Sequence, residues 1–584
     1  MTASALPGQE PASRQDLPDP SPVDLWLTAS GTRAAVACWH TGTVALVELP
    51  AGKVLHRHAA GRRTAAVWIS PAGDEVLATA MYSGTLHRFR VQQDHLVPAG
   101  VLRLGFGPRG LAVDPRRRLA YVALETGAAV AVVDLDRWQV LRTVSVGPWP
   151  RWLALVPDGN TLAVGCSGSR RVVVLDVPAG KERFSVLFEG INCGMMEVDR
   201  RGRFVYAPWM VYRQNPITPG NIRQGWVLAS RLGRVRLDQK KRRQVLSLDE
   251  RGKAVADPHG VALDPQERWI VCTSSGTGEL LVFRNEDLPF GRFSGQGDHI
   301  DPALARNPDR FYRLALGGRP LAVRFLPSGH KVVVANYLLN ALQVVDLQQR
   351  RVVRSVALGG PSAPSPIRRG EAIFYDARRS LDQWYSCHSC HYEGGTNAVT
   401  MDTRNDGTNR TFKTVLPLFH LDKTPPWTWH GWQQDLQAAM HKSLTDTMQG
   451  PRPRPQDVDD LLAYLRWLQP PPNPYRPQLA AGPAAQRGRK LFFGKAGCAE
   501  CHRGPFYTDG EIHDVGTGSP KDAYSGYNTP TLRGVYLRVR LMHHGRARSL
   551  EQVLTEHHRV EEVSGGEPLS PQEVADLVAF LKTL

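Results

Sequence analysis

Two copies of the pattern C-x-x-C-H are the residues whose types and spacing point most directly to chemistry. Each copy supplies two thiols and one imidazole: Cys387, Cys390 and His391 in WYSCHSCHYEGG, and Cys498, Cys501 and His502 in GCAECHRG. In this spacing the cysteines form thioether bonds to the vinyl groups of haem c, and the adjacent histidine ligates the iron. The sequence therefore predicts two covalently bound haem c groups.

Zinc binding and dithiol redox chemistry are the alternatives for these six residues. A structural zinc ion would need four ligands, whereas the two copies stand about 110 residues apart. A thioredoxin-like C-x-x-C would need a βαβ context, which the flanking sequence lacks. Because thioether attachment needs reduced thiols and haem outside the cytoplasm, we expect a periplasmic or surface location.

The sequence around each motif repeats, which indicates two copies of one helical module. Helices are predicted before each motif and at the end of each copy: RGEAIFY (369–375) and RGRKLFF (487–493), then 455–468 and 570–584. A glycine follows each motif histidine at a similar distance, 40 residues at Gly431 and 43 at Gly545. We therefore expect two tandem all-α class I cytochrome c modules, 369–468 and 487–584, joined by a proline-rich linker at 469–486.

The N-terminal part contains a different repeat, made of short runs rich in valine and leucine. TVALVEL, AVAVVDL, RVVVLDV and ALQVVDL are typical of strands, and turn signals such as SPAGD and VPDGN separate them. The equivalent residues Glu48, Arg90, Asp134 and Asp176 are 42, 44 and 42 residues apart. A period of this length predicts a β-propeller, and seven such strands predict an all-β domain of seven blades at 22–358.

Segments outside the regular repeat are predicted to form loops. Two later blades carry insertions, WMVYRQNPITPGNIRQG (209–225) and residues 285–312, which map to a propeller face and are often binding surfaces. Residues 1–21 are predicted to be a disordered lead, without the charged-then-apolar pattern of a signal peptide. If the protein is exported, we expect the signal to have been removed from this sequence.

Composition and charge restrict the partners of this 584-residue chain. Its net charge is +17, but the densest basic run, RLGRVRLDQKKRRQ (231–244), lacks interleaved aromatic residues, so no nucleic-acid partner is expected. A basic face would instead suit an acidic redox partner. No apolar run approaches 18 residues, so we expect no transmembrane segment.

The other cysteines and two histidines of the propeller are predicted to be structural. Buried free thiols are expected at the four remaining cysteines, with disulfides as the alternative: Cys38, Cys166, Cys193 and Cys272. His40 and His259 are expected to be hydrogen-bonded structural groups, with a propeller metal site as the alternative.

Longer stretches of the sequence resemble known families. TPTLRGV, HHGRARSLEQV and LVAFLKTL closely match the C-terminal half of the bacterial dihaem cytochrome c peroxidase and MauG-like family, which residues 369–584 resemble throughout. LAYVALETGAAVAVVDL and VVVANYLLNALQVVDL are similar to YVTN-type propellers. The first resemblance implies an enzyme that activates hydrogen peroxide at the first haem. The second implies a fold, because such propellers have many functions.

The family resemblance also implies the ligand environment of the second haem. Relatives place a distal iron ligand one helix after the H-G motif, and His557 stands there in this sequence. Imidazole is a good ferric ligand, so we expect a low-spin haem between His502 and His557. His558 and Met542 are the rival ligands.

The first haem is expected to be open at rest. Superposing the two copies on Gly431 and Gly545 places Ser443 at the position of His557, and a serine hydroxyl is a poor iron ligand. Activatable relatives carry a removable histidine after the first motif, but residues 392–413 contain none. The residues that would close this haem instead are His430, His441 and Met448.

Other positions of the family map onto residues that relay electrons, move protons or bind calcium. Trp429 fills the place of a tryptophan between the two haems, where an indole can carry a hole. The family's acid–base glutamate and nearby glutamine are replaced by Gln449 and Ala439, and a Gln449 amide cannot exchange a proton near neutral pH. Asp446, one helical turn after Ser443, is the expected substitute. A calcium ion is usual in the family, and Asn528 and Pro530 are its expected oxygen ligands.

Two functions from different classes follow from this sequence. The first is a peroxidase-type oxidoreductase that passes oxidising equivalents through Trp429 and the second haem to a partner. That partner would be a small donor protein, such as a cytochrome c or a cupredoxin, or a protein substrate. The second is a dihaem electron-transfer protein whose propeller is a partner-binding platform. A high-spin ferric component would favour the first function, and two low-spin haems would favour the second.

Overall fold

Seven antiparallel sheets follow one another along the chain in the computed structural model, which describes residues 16–291, 299–404 and 406–584. Six sheets have four strands and the fifth has five. Blade by blade, the strands are β1–β4 (Pro22–Leu27, Arg33–Cys38, Thr43–Glu48, Lys53–Ala59), β5–β8 (Thr64–Ile69, Glu75–Ala80, Thr85–Gln92, His95–Arg103), β9–β12 (Pro108–Asp114, Leu119–Leu124, Ala129–Asp134, Gln139–Ser145), β13–β16 (Pro150–Leu155, Thr161–Cys166, Arg171–Asp176, Lys181–Leu187), β17–β21 (Gly190–Ile191, Glu197–Val198, Phe204–Tyr212, Leu228–Arg236, Gln244–Ser247), β22–β25 (Pro258–Leu263, Trp269–Ser274, Glu279–Arg284, Phe311–Ala315) and β26–β29 (Pro320–Phe325, Lys331–Asn336, Ala341–Asp346, Arg351–Ala357).

The ring of blades is closed by contact between the innermost strands of the first and last sheets, β1 and β26. Middle strands are buried on both faces because each sheet packs between two neighbours, which explains their unbroken runs of valine, leucine and alanine. Outer strands are more exposed: the residues of β4 are exposed or half-buried, and most residues of β12 are exposed. The predicted seven-bladed propeller is confirmed.

The first insertion of the propeller lies against the C-terminal region. Its residues continue β19, pass through a short helix, α1 (Pro219–Arg223), and return as β20. The backbone N–H of Ile217 donates to the Asp402 carbonyl oxygen at 2.9 Å, and the Tyr212 hydroxyl donates to the Thr400 carbonyl oxygen. The second insertion contains α2 (Pro302–Ala305), and residues 292–298 of it lie outside the described residues.

The C-terminal region is mainly helical. Its elements are α3 (Pro366–Tyr375), α4 (Cys387–Cys390), β30 (Thr400–Met401), β31 (Lys413–Thr414), α5 (Leu436–Lys442), α6 (Pro455–Trp467), α7 (Arg476–Leu479), α8 (Pro483–Phe492), β32 (Ile512–His513), β33 (Tyr527–Asn528), α9 (Leu550–Gln552), α10 (Val560–Val563) and α11 (Pro571–Leu581). Helices α5 and α9 each continue into one π-helical turn, Ser443–Thr447 and Val553–His557.

Two helix pairs in this region have the same packing geometry. Helix α3 crosses α6 at Gly370, where a Cβ atom would lie 1.8 Å from the Asp460 carbonyl oxygen. Helix α8 crosses α11 at Gly488, where a Cβ atom would lie 1.9 Å from the Asp576 carbonyl oxygen. Only glycine permits such a close backbone approach.

An ion pair beside each crossing repeats as well. Arg369 bonds both carboxylate oxygens of Asp460 at 2.7 and 2.8 Å, and Arg487 bonds those of Asp576 at 2.6 and 2.7 Å. The repeat seen in the sequence therefore extends to the packing of the helices.

Two of the expected boundaries need correction. Residues 16–21 belong to the packed structure, because Leu17 is buried in a core that includes the C-terminal helices and Asp19 pairs with Arg368 at 3.3 Å. Residues 1–15 lie outside the described residues. The segment expected to be a linker, 469–486, contains α7 and the start of α8, because Pro483 occupies a first-turn helix position that suits proline.

Within the described residues, no helix is long and apolar enough to cross a membrane. The four cysteines of the propeller are buried and free, as expected. Burial raises the pKa of Cys38 and Cys193 to about 12.

Candidate functional site

The propeller holds the first C-x-x-C-H segment in place. Cys387–Cys390 form the short helix α4, which begins with a reciprocal cap between Ser386 and Ser389. The carboxylate of Asp257, from the start of the sixth blade, accepts hydrogen bonds from both hydroxyls at 2.6 and 2.7 Å. The Asn192 amide donates to the Ser389 carbonyl oxygen at 2.8 Å. Helix α4, which carries both thiols of the first motif, is thus docked directly on the propeller.

Each motif histidine has one ring nitrogen bonded to a backbone carbonyl oxygen. The Nδ1–H of His391 donates to the Leu416 carbonyl oxygen at 2.9 Å, and that of His502 donates to the Tyr507 carbonyl oxygen at 3.1 Å. This contact assigns the tautomer and leaves the Nε2 lone pair available for iron. Burial lowers the pKa of each imidazole to about 4, so neither carries a proton that competes with the metal near neutral pH.

A cavity of about 370 Å³ adjoins His391. Both attachment thiols line it together with apolar side chains: Cys387, Cys390, Met401, Leu416, Leu461 and Leu465. Burial raises the pKa of both thiols to about 12, so they are protonated. Arg538 also lines the cavity, with a buried Nε that has no hydrogen-bond partner, and burial lowers its pKa to about 10.

These residues fit a haem c group. Two thiols and one imidazole match its covalent and axial attachment, and the apolar lining matches the porphyrin plane. The Nε–H of Arg538, which is buried and has no partner in the protein, would be satisfied by a propionate carboxylate.

The structure brings some expected functional residues into this cavity. Ser443 and Trp429 both line it, as do the rival ligands His430 and Met448. The Ser443 hydroxyl donates to the Ala439 carbonyl oxygen at 2.8 Å. In the described part of the chain, the rival His441 is not among the lining residues.

Asp446 and Gln449 do not reach the described cavity wall. The Asp446 side chain is 55% exposed and lies 4.0 Å from Lys442, while the Gln449 amide donates to the Asp446 carbonyl oxygen. The physical reason is the π-helical turn that begins at Ser443. A π turn has more residues than an α turn, so a residue three positions on does not return to the same face. On an α-helix, Asp446 would lie one turn from Ser443 on the same face.

The ends of the two π turns also alter the comparison of the copies. The helix caps Asp435 and Ser549 are 114 residues apart, but the last π residues, Thr447 and His557, are 110 residues apart. The second helix is therefore about one turn shorter. Counted from the helix ends, His558 corresponds to Met448, which lines the first cavity.

His557 and His558 have different surroundings. The His557 side chain is 24% exposed, with Nε2 3.9 Å from Glu556. His558 has a buried Nδ1 without a hydrogen-bond partner, and burial lowers its pKa. Burial is the main cause of the lowered pKa of His502, and His558 lies near enough to lower it further. The rival Met542 packs instead beside Val535 and Leu541 in a small apolar cluster.

A series of aromatic rings connects the first cavity with the second π turn. Trp429 contacts His543 edge-on at 6.1 Å between centroids, His543 contacts His544 at 4.7 Å, and His544 contacts His557 at 5.4 Å. The Trp429 indole N–H donates to the Thr414 carbonyl oxygen at 2.8 Å, which fixes the ring.

The expected calcium ligands Asn528 and Pro530 also line the first cavity. The Asn528 amide nitrogen donates to the Pro426 carbonyl oxygen at 2.5 Å, and its Oδ1 is buried without a partner. One free oxygen falls short of the six to eight that calcium takes. The calcium site stays a prediction.

His40 belongs to a buried polar network between the propeller and α3. Its Nε2 lies 2.8 Å from the Tyr337 hydroxyl and 3.0 Å from a Glu371 carboxylate oxygen. Arg368 donates to the other Glu371 oxygen at 2.6 Å. Burial lowers the pKa of His40 to about 4, so it is a neutral hydrogen-bonding group.

A ring of basic residues at one end of the propeller was not found by sequence reasoning. Its members stand at or beside the first residue of the innermost strands: Arg63, Arg109, Arg151, His259 and Arg319. A signal was present in the sequence, because five of the seven blades begin with similar motifs that contain a basic residue: GRRTAAV, GPRGLAV, WPRWLAL, DPHGVAL and GGRPLAV. In a chain with 72 lysines and arginines, these residues did not stand out as a group.

Comparison with known proteins gives relatives for this architecture. The family description "Cytochrome c" matches residues 485–584. MauG, the methylamine utilization protein of Methylorubrum extorquens, is 27% identical over 289 residues, which covers 38% of this chain and 79% of MauG. The cytochrome-c peroxidase IdrP2 of a Pseudomonas species is 26% identical over 309 residues, covering 38% and 81%. The chain is a distant homologue of the MauG-like dihaem cytochrome c peroxidases.

Hydrazine synthase of Kuenenia stuttgartiensis is similar in two respects. Its subunit gamma is 29% identical over 274 residues, which covers 37% of this chain and 77% of that subunit. A solved hydrazine synthase chain superposes with a TM-score of 0.52 at 19% identity, covering 58% of this chain and 99% of that chain. At this identity the second similarity concerns the fold alone.

Proposed function

We propose that this chain is an extracytoplasmic dihaem oxidoreductase that activates hydrogen peroxide at the first haem. Oxidising equivalents would pass through Trp429 and the second haem to a redox partner or a protein substrate. The observation that carries this proposal is the cavity of about 370 Å³, in which His391, both attachment thiols, Ser443 and Trp429 meet. Distant homology to MauG and to a cytochrome-c peroxidase supports it.

The architecture supports two tandem haem modules of the same type. Each motif follows a helix, α3 or α8, that crosses the closing helix of its own segment at a glycine. The cytochrome c family description matches only residues 485–584, so the proposal for the first segment rests on this matched packing. When bound, haem would supply the redox chemistry at both segments.

The chain's own residues would orient the reaction and control its protons. The Leu416 carbonyl oxygen holds His391 in one tautomer, and the Thr414 carbonyl oxygen holds Trp429 in one orientation. Neither Asp446 nor Gln449 reaches the described cavity wall, so a different acid–base group is needed. His430 is the proposed group, because it lines the cavity and its Nε2 lies 3.9 Å from Asp522 Oδ1.

The function is tested by adding hydrogen peroxide or cyanide to the resting ferric protein in a stopped-flow spectrometer. An open first haem should change its spectrum with either reagent without prior reduction, because no protein ligand must leave. EPR of the resting protein should show a high-spin component. A spectrum that does not respond to excess peroxide, in the ferric or the donor-reduced protein, would contradict the proposal.

Electron transfer without peroxide chemistry is the second candidate function, and Met448 favours it. This thioether lines the first cavity, lies 3.9 Å from the Cys387 sulfur and corresponds to His558 when the copies are compared from their helix ends. Methionine is an axial ligand in electron-transfer cytochromes c. If Met448 closes the first haem, Met448→Ala should create a cyanide response that the unmodified protein lacks.

The relay through Trp429 is tested by Trp429→Phe. Phenylalanine is much harder to oxidise than tryptophan, so hole sharing between the two haems should slow by about tenfold or more, which corresponds to about 1.4 kcal/mol of barrier. Cyanide affinity at the first haem should not change. The measurement is the rate at which the spectrum of the second haem responds after peroxide is added to the first.

Trp427→Phe is the matched control for this experiment. Trp427 lines the same cavity, but its indole N–H bonds the Leu421 carbonyl oxygen within the first segment. Equal rates in the two variants would refute a special role for Trp429.

A further inference from the structure

A buried chamber of about 120 Å³ lies where the propeller meets the first haem segment. Its walls come from both parts of the chain: Arg109, Arg151 and Arg319 from the ring of basic residues, and Tyr392, Glu393 and Phe419 from the haem segment. Tyr392 directly follows the motif histidine His391. The chamber is distinct from the cavity beside His391, although the two share part of their lining.

Most of the charged groups in the chamber wall are paired. Arg109 donates to Glu125 at 2.9 Å and to Glu393 at 3.0 Å, and Arg151 donates to Glu125 at 2.7 Å. Arg63 pairs with Asp16 at 3.2 Å. These carboxylates satisfy three of the four arginines in the ring.

Arg319 is the exception. Its side chain is only 4% exposed, its Nε is buried without a hydrogen-bond partner, and no described residue accepts a hydrogen bond from its terminal nitrogens. The guanidinium stacks on the ring of Tyr375, 3.5 Å from its centroid, and lies 4.8 Å from the centroid of the Tyr337 ring. These contacts hold the orientation of the guanidinium plane, but they provide no hydrogen-bond acceptor for its N–H groups. The carboxylates of Glu371 and Glu393 line the same chamber, but neither accepts a hydrogen bond from Arg319, so an anion from outside the chain would satisfy this guanidinium.

The electrostatic surroundings of the chamber are positive. His259 lines it and packs edge-on against Trp152 at 5.4 Å. Burial lowers the pKa of His259 well below its usual value, and the charges of Arg319, Arg109 and Arg151 lower it further. The imidazole is therefore neutral. Among the described residues, the chamber lining includes five arginines and three glutamates, so cations outnumber anions.

We propose that this chamber is a binding site for one small planar oxyanion of the carboxylate, nitrite or nitrate class, with Arg319 as its principal ligand. Two oxygens of such an anion match the parallel N–H groups of a guanidinium. The volume equals that of about four water molecules in the liquid, which suits an anion of three or four heavy atoms.

The chamber also has a route to the first haem cavity. Pro417, Phe419 and Arg538 line both spaces. An anion held by Arg319 would therefore lie next to the segment that attaches the first haem. This site goes beyond the proposed peroxide chemistry and does not depend on it, because binding is measured without turnover.

Calorimetric titration of the ferric holoprotein with sodium nitrate tests the site, with the haem spectrum recorded in the same samples. One nitrate should bind per chain in the unmodified protein without a shift of the haem bands. Arg319→Gln should weaken binding by about tenfold to a hundredfold, the range expected for a lost charge-assisted hydrogen bond. No binding to the unmodified protein, or equal binding to Arg319→Gln, would overturn the proposal.

Arg324→Gln is the matched control. Arg324 lies near the end of the same strand, β26, where its guanidinium packs 4.7 Å from the ring of Trp26, away from the chamber. Nitrate affinity should be unchanged in this variant. Sodium chloride should bind at least about tenfold more weakly than nitrate, because a single spherical atom cannot match both N–H groups. Equal affinity for chloride would overturn the assignment to oxyanions.

A structural measurement covers the case in which Arg319→Gln does not fold. Crystals of the unmodified protein soaked in nitrate should show a planar anion within hydrogen-bond distance of the Arg319 guanidinium. A chamber that contains only water after soaking would overturn the proposal.

Discussion

Replacing both Cys387 and Cys390 by alanine is expected to remove one of two covalently bound haem groups. The mass of the purified protein, produced with a haem-maturation system, should fall by one haem. The pyridine haemochrome absorbance per chain should fall by half. The reason is that each C-x-x-C-H copy lies in its own segment, with its own crossing helix pair and its own carbonyl partner for the motif histidine.

Replacing Cys498 and Cys501 should have the same effect on haem content. It should spare the first site, because Asp257 and Asn192 of the propeller hold the first attachment helix. Cys38→Ala with Cys166→Ala is the control, since both thiols are buried within the propeller and should leave two haems in place. A native mass with no covalent haem, or with bound zinc, would refute the whole haem assignment.

Replacing His558 by glycine is expected to remove the low-spin signal of the second haem, while the first haem is unchanged. The Nδ1 atom of His558 is buried without a hydrogen-bond partner, and this residue lies near His502, so it is placed to provide the second imidazole ligand. The change should be close to complete, because the low-spin state needs two strong axial ligands. EPR of the ferric protein at low temperature measures it directly.

His557→Gly is the matched variant, because it changes the neighbouring imidazole. Family resemblance favours His557, whereas the packing of the second π turn favours His558. If His557→Gly abolishes the low-spin signal and His558→Gly preserves it, the sequence alignment is the better guide. If both variants keep the signal, neither histidine is the ligand and Met542 becomes the candidate.

His557 has an expected role in either case. Its ring is the last member of the aromatic series that begins at Trp429 and passes through His543 and His544. A His557→Gly variant with an intact low-spin signal should therefore still slow the response of the second haem to peroxide. That outcome would separate iron ligation from electron transfer in this pair of histidines.

The sequence by itself determined the chemistry-bearing motifs and the architecture. The C-x-x-C-H spacing is a local signal, because both thiols and the imidazole that attach one haem lie within five consecutive residues. The propeller was equally accessible, since equivalent strands recur every 42 to 44 residues in the first four blades. Their middle strands are apolar runs, as burial on both faces requires. Helix bounds in the C-terminal region followed from the same kind of periodicity, within a few residues.

Tertiary structure decided which residues share a cavity. Asp446 was expected beside Ser443 from α-helical spacing, but the π turn rotates its carboxylate into solvent. A single extra residue per turn cannot be seen in hydrophobic periodicity. The same limit applies to the second segment, where counting from Gly545 gives His557, whereas counting from the end of the shorter helix gives His558.

Contacts between the propeller and the haem region also could not be predicted from the sequence. Asp257 and Ser389 are 132 residues apart in the chain, yet they share a hydrogen bond of 2.7 Å. Arg319 is one of many arginines in a chain of net charge +17, and nothing in its own segment marks it as unpaired. Local spacing determines local chemistry, but pairing and burial depend on distant segments that meet only when the propeller ring closes and the haem region docks on it.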